Sequence, residues 1–378
     1  MLTHVHKERC KNDMIKGPTT ELSSVDEAIV EQSSPAEIEV ERSGFSLGKS
    51  LRNPRTLISF ALAAAIILFV VRGLDIDLAK TWQYMRGANP ALMLAGLVVF
   101  YLTFPLRAFR WRLLLDNAGV PVREGHRSWA SLPALLEYLY LSWFANCIVP
   151  AKLGDAYRGY LLKRNGRVSF SATFGTIFAE RLLDMLGLFS FLVLSGWFVF
   201  GTHLPRETNV IFVAGLVLVL LIVAGLAGMR WFSPLLRRFM PQRLLSKYEP
   251  FESAALRSFR PRILPQLALL TGVVWLLESF RLFFVIEALG AEGLHLTLPV
   301  IIFVALASSL LTVIPFTPGG LGVVEGAVTA VLLALPVAPG GVPVSRALAV
   351  AVTFLDRTIN FWSIIVFGFV LYLVSKRK

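Results

Sequence analysis

Residues 129–167 read WASLPALLEYLYLSWFANCIVPAKLGDAYRGYLLKRNGR. The stretch holds one apolar run, 129–150, ended by Pro150 and followed by Lys152, Gly154, Asp155 and Arg158. Basic residues flank it on both sides: Arg107, Arg110 and Arg112 before it, and Lys163, Arg164 and Arg167 after it. Lys and Arg concentrate in the cytoplasmic loops of membrane proteins. Both flanks therefore read as cytoplasmic, and one crossing cannot start and end on the same side. The spacing predicts a re-entrant hairpin over 129–163 that enters from the cytoplasm.

Working outward, apolar segments lie at 57–71, 90–104, 170–200, 210–229, 265–289, 298–314, 321–335 and 347–374. The stretch 75–86 has amphipathic character and is expected at the membrane interface. Lys49, Arg52 and Arg55 place the N-terminus in the cytoplasm, and Lys376, Arg377 and Lys378 place the C-terminus there. The basic loop 230–262 is also inside, so 265–289 exits and 347–374 returns. Segments 298–314 and 321–335 must then enter and leave from outside. They form either two crossings or a second hairpin turning at Pro318-Gly319-Gly320. Helix, hairpin, helix thus occurs twice with opposite orientation, and inverted repeats with broken helices mark transporters. The expected fold is all-α: a polytopic transmembrane helix bundle with two re-entrant or broken-helix hairpins and an inverted repeat. Residues 1–55 form a disordered cytoplasmic tail, and residues 56–378 form the transmembrane domain.

Composition agrees. Of the 378 residues, 55% are hydrophobic and only 16% charged, against about 25% charged in soluble domains. The mean hydropathy is +0.65. The net charge of +12 would suggest nucleic acid in a soluble protein. Here it sits between apolar segments, where it sets topology and attracts anionic lipid. Two cysteines, Cys10 and Cys147, give no disulfide framework. No G-x-S-x-G, HExxH or Walker A motif is present, so no enzyme activity, nucleic acid partner, metal or cofactor is expected.

Charged residues inside apolar segments are costly and usually functional. Four groups qualify. The first is Asn146-x3-Pro150-x3-Gly154-Asp155-x2-Arg158 with Lys152. A half-helix starting near Gly154 would aim free N–H groups at an anion, and the plainer reading is a basic cytoplasmic loop. The second is Glu180-Arg181-x2-Asp184, about ten residues into a long apolar helix and so ~15 Å deep. The third is Pro315-x2-Pro318-Gly319-Gly320-x-Gly322-x2-Glu325, broken backbone that lipid alone would not tolerate. The fourth joins Asp356, Arg357 and Asn360 with Glu278 and Arg281. For the second and fourth groups the alternative is a set of ion pairs that lock helices together, and for the third it is a simple extracellular or cytoplasmic turn.

These motifs, in this order, resemble the flippase-like membrane family (UPF0104-type) that includes the transmembrane region of lysylphosphatidylglycerol synthases. The resemblance rests on Asn146, Pro150, Gly154, Asp155 and Arg158, on Glu180, Arg181 and Asp184, on the Pro315–Glu325 run, and on Arg357. The family more often has Glu at the Asp155 position. The resemblance implies lipid translocation between leaflets, with an anionic phospholipid or a polyprenyl or glycolipid as substrate. The expected location is the plasma (inner) membrane, and oligomerisation is left open. Synthase relatives carry an additional soluble aminoacyl-transferase domain, which this chain is not expected to have. The expected substrate-binding residues are Asn146, Lys152, Gly154, Asp155, Arg158, Glu180, Arg181, Asp184, Pro318, Gly319, Gly320, Glu325 and Arg357. The alternative is a membrane-embedded transferase, or an accessory scaffold, in lipid or lipid-linked glycan biosynthesis.

Overall fold

The computed structural model describes residues 54–73, 76–120, 122, 128–149, 153–200, 206–290, 296–311, 317–334 and 344–378. Most of the predicted tail lies outside them, as do Pro150, Lys152 and Pro315. The described residues are helical: α1 Pro54–Gly73, α2 Leu78–Arg86, α3 Pro90–Asn117, α4 Leu132–Ile148, α5 Leu153–Gly166, α6 Phe170–Phe200, α7 Arg206–Phe239, α8 Gln242–Ser258, α9 Leu264–Leu289, α10 Leu298–Leu311, α11 Val323–Ala334, α12 Arg346–Arg357 and α13 Ser363–Val374. A π-helical turn, Thr358–Trp362, joins α12 to α13.

Local chemistry sets several starts. Asn89 caps α3 by accepting from the Ala91 N–H at 2.9 Å, with Pro90 in the first turn. Ser131 caps α4 and Ser345 caps α12 in the same way. Gly290 ends α9 in the left-handed conformation.

Among the described residues, four helices have the length and apolarity to cross a bilayer: Pro90–Asn117, Phe170–Val199, Leu264–Leu289 and Arg346–Val374, the last with a π-helical turn inside it. The arms of the hairpins are shorter. α4 has 17 residues and α5 has 14, while α10 has 14 and α11 has 12. At ~1.5 Å per residue none reaches the ~30 Å of a hydrocarbon core. Both hairpins therefore have the dimensions of paired half-helices.

Packing follows a repeat. α3 packs on α4, as α9 packs on α10; α5 packs on α6, as α11 packs on α12. α4 packs against α13, as α10 packs against α6, and α3 runs along α9 at the centre. Exchanging the unit α3–α6 with the unit α9–α13 leaves this pattern of neighbours unchanged. The outer faces carry exposed apolar side chains such as Phe69, Trp197, Leu221 and Val366, suited to lipid rather than water.

Two sequence readings need correction. The helix expected to stop near residue 104 continues to Asn117, so Arg107 and Arg110 are buried inside the bundle instead of opening a basic loop. Phe104, Ala108, Trp111, Leu114 and Leu115 carry the buried face past them. The basic loop 230–262 is also mostly helix, formed by the end of α7 and by α8, which lies along α6. Within the amphipathic stretch 75–86, Leu78–Arg86 form α2, which packs on α12.

Candidate functional site

A cavity of about 200 Å³ lies where the two units meet. Four arginines reach its wall: Arg107 from α3, Arg181 from α6, Arg281 from α9 and Arg357 from α12. Asp184, Glu278 and Asp356 share that wall, with Trp143 and Trp275.

Each unit holds one arginine-to-hairpin latch. In the first, the Arg181 fork grips Asp155 at the start of α5, through Nε to Oδ2 at 2.9 Å and Nη2 to Oδ1 at 2.6 Å. In the second, Arg357 Nε donates to Glu325 at the start of α11 at 2.6 Å, and its Nη2 donates to the Gly319 carbonyl at 2.8 Å. Bidentate guanidinium–carboxylate contact is strong and geometrically specific. In both units a long helix is thereby tied to the returning arm of a hairpin.

The same correspondence governs the other pairs. Arg110 of α3 binds Asp184 at 2.6 Å, Glu180 at 3.1 Å and Thr271 at 2.8 Å. Arg281 of α9 pairs with Asp356 at 2.8 Å. Glu180-Arg181 thus matches Asp356-Arg357, Arg110 matches Arg281, and Asp155 matches Glu325. Arg107 and Glu278, 3.1 Å apart, join the two central helices to each other. Arg107 also lies over Trp143 at 5.0 Å and Trp275 at 5.8 Å, placing its weakly hydrated guanidinium on aromatic faces.

Glycine permits close packing in both hairpins. A side-chain carbon on Gly154 would stand 2.1 Å from the Ser142 carbonyl oxygen. Gly319 has φ +57°, and a carbon there would meet the Phe361 ring at 2.3 Å.

A family model described as the lysylphosphatidylglycerol synthase TM region matches residues 56–368. The chain belongs to this family. A UPF0104 membrane protein of Methanocaldococcus jannaschii is 34% identical over 237 residues, 62% of this chain and 95% of that protein. Another from Pyrococcus horikoshii is 24% identical over 346 residues, 85% of this chain and 97% of the relative. The glycosyltransferase AglD of Haloferax volcanii is 23% identical over 340 residues, which cover 81% of this chain and 52% of that protein. The resemblance read from the motifs is borne out, and this member of the lysylphosphatidylglycerol synthase TM-region family is an integral membrane protein.

Within this family member, six of the predicted site residues line the cavity: Asn146, Arg181, Asp184, Gly319, Gly320 and Arg357. Asp155 and Glu325 stand behind them as the carboxylates of the two latches. Arg158 does not line the cavity but bonds Glu180 at 2.7 Å and lies over Trp111 at 4.5 Å, 1% exposed. Glu180 is held between Arg110 and Arg158 and also stays off the wall. The α5 N-terminus is partly satisfied from within, because the Gly154 N–H donates to Asn146 Oδ1 at 2.8 Å. Pro318 supports the second turn without lining the cavity. Arg107 and Arg110 are the residues that sequence reasoning missed, although the apolar pattern continuing to Leu113-Leu114-Leu115 was the available signal.

Proposed function

We propose that the protein is a lipid translocator that passes a phosphate-bearing headgroup through the cavity while the acyl chains stay in the bilayer. One observation carries this reading: Arg181 and Arg357 both line the cavity and both latch a hairpin. A headgroup phosphate entering the cavity competes with Asp155 for the Arg181 fork, and with Glu325 for the Arg357 fork. Guanidinium suits either partner, since both present paired oxygens. Exchange at one latch would free one hairpin while the other stays closed, so the headgroup would be offered to one side at a time. Glu180 and Arg158 position these elements and do not touch the headgroup. The proposed membrane is the plasma (inner) membrane, with both termini in the cytoplasm, and no catalytic step is assigned.

A second reading is supported by the alignment with a glycosyltransferase: an accessory role in lipid-linked glycan synthesis, with the carrier lipid as cargo. Reconstitution in liposomes separates the outcomes. Acyl-labelled phospholipids should cross faster with protein than without. Movement equal to that in protein-free vesicles, for phospholipids and carrier lipids alike, would remove the translocation reading.

A further inference from the structure

We infer that the cavity takes a headgroup of net charge zero, one that carries a phosphate and an ammonium together. The inference rests on the translocation reading and narrows its cargo.

Among the described residues the charge cluster is balanced. Six arginines, Arg107, Arg110, Arg158, Arg181, Arg281 and Arg357, face six carboxylates, Asp155, Glu180, Asp184, Glu278, Glu325 and Asp356. Each side chain is bound to at least one opposite partner, and only the Arg181–Asp155 pair is more than a tenth exposed. A ligand bearing one net negative charge would leave that charge uncompensated among buried groups, where Coulomb energies are large. A zwitterion leaves the balance intact.

The wall also offers spare capacity of both kinds. The Trp275 indole Nε1–H is buried without a hydrogen-bond acceptor. Asp184 Oδ2 is buried without a donor; Arg107 Nη1 lies 3.8 Å from it, and Arg110 holds the other oxygen of the carboxylate at 2.6 Å. A phosphate meets Arg181, Arg281 and Arg357 in this cavity, and an ammonium meets Asp184, Glu278 and Asp356. The cavity of about 200 Å³ has room for a phosphate with a short amine.

The test compares two lipids carrying the same acyl-chain fluorophore in proteoliposomes at pH 7: phosphatidylethanolamine, net zero, and phosphatidylglycerol, net minus one. Transbilayer movement is read by dithionite quenching. The zwitterion should move about tenfold faster, a modest fraction of what one unpaired buried charge can impose. Asp356→Asn and Glu278→Gln each give the cluster one net positive charge and should move the preference toward phosphatidylglycerol. They lie on different helices, so one can stand in if the other does not fold. A merely structural role for these carboxylates would slow both lipids without changing their order. Equal or faster movement of phosphatidylglycerol in the unaltered protein overturns the inference while leaving translocation in place. So does phosphatidylglycerol movement matched by proton uptake, because a proton would then supply the balance. If neither of these lipids moves but a carrier lipid does, the net-zero phospholipid cargo is wrong. If no lipid moves faster than in protein-free vesicles, the translocation reading itself fails.

Discussion

Gly154 opens the returning arm of the first hairpin, and its replacement by alanine has a calculable consequence. The added carbon would lie 2.1 Å from the Ser142 carbonyl oxygen and 2.7 Å from the Asn146 side chain. Ordinary carbon–oxygen contacts begin near ~3.3 Å, so the two groups must part by more than ~1 Å. The Ser142 oxygen belongs to the backbone of α4 and has no rotamer into which to retreat. The arms of the hairpin must separate, and the Gly154 N–H bond to Asn146 stretches with them. Overpacking costs about 1–3 kcal/mol, and a backbone obstacle puts this case at the upper end. Asp155 is the next residue, so its grip on Arg181 shifts as well, and lipid movement should fall along with stability. Gly225 supplies the internal comparison. Nothing lies within 4 Å of a carbon added there, and alanine in an open helical position gains about 0.5–1 kcal/mol over glycine. Thermal unfolding of the purified proteins in detergent should therefore rank Gly225→Ala at or above the parent and Gly154→Ala clearly below it. A Gly154→Ala protein that unfolds with the parent or later would refute the close packing of this hairpin.

Other substitutions probe different parts of the site. Arg110→Met leaves Asp184 without its 2.6 Å partner and Glu180 with one arginine fewer; breaking a buried pair costs about 3–5 kcal/mol, so yield and unfolding temperature should drop well below those of Thr271→Val, which removes one hydroxyl contact. Gly319→Ala should be destabilising through both its φ of +57° and the Phe361 ring, and Phe361→Leu in the same chain should recover part of the loss; a double-mutant cycle without coupling would contradict the contact. Asp155→Glu keeps a carboxylate for Arg181 and should retain most lipid movement, whereas Asp155→Asn should lose most of it. Equal activity for the two would show that the latch charge is irrelevant.

Much of this arrangement was legible in the sequence. The Pro/Gly runs around residues 150 and 318 marked both hairpins, because broken backbone inside apolar sequence needs protein around it. Glu180-Arg181-x2-Asp184 and Asp356-Arg357 stood out as charges deep in apolar helices. The divergence of Asp356 and Arg357 toward different partners followed from helix geometry alone, and the structure pairs them with Arg281 and Glu325. What remained hidden was the choice of partners. Arg110 and Asp184 are 74 residues apart, and nothing local connects them. Arg107 and Arg110 were masked by Arg112 close behind them, since three arginines in a row of six positions look like a cytoplasmic boundary. The correspondence between the two latches was faint for a similar reason. Asp155 lies 26 residues before Arg181, while Glu325 lies 32 before Arg357, so only the folded chain aligns them.

The proposed translocation requires that a phospholipid headgroup enter the cavity between Arg181 and Arg357. A photoreactive amino acid at Met185, on the cavity wall, can be cross-linked in intact membranes and the adduct weighed. Val366, 58% exposed on the outer face of α13, serves as the position where bulk lipid is captured. Phospholipid adducts are expected at both positions, with Arg181→Gln and Arg357→Gln together removing the adduct at Met185 and sparing the one at Val366. Lipid captured at Val366 but never at Met185, or a Met185 adduct indifferent to both arginines, would contradict the proposed translocation.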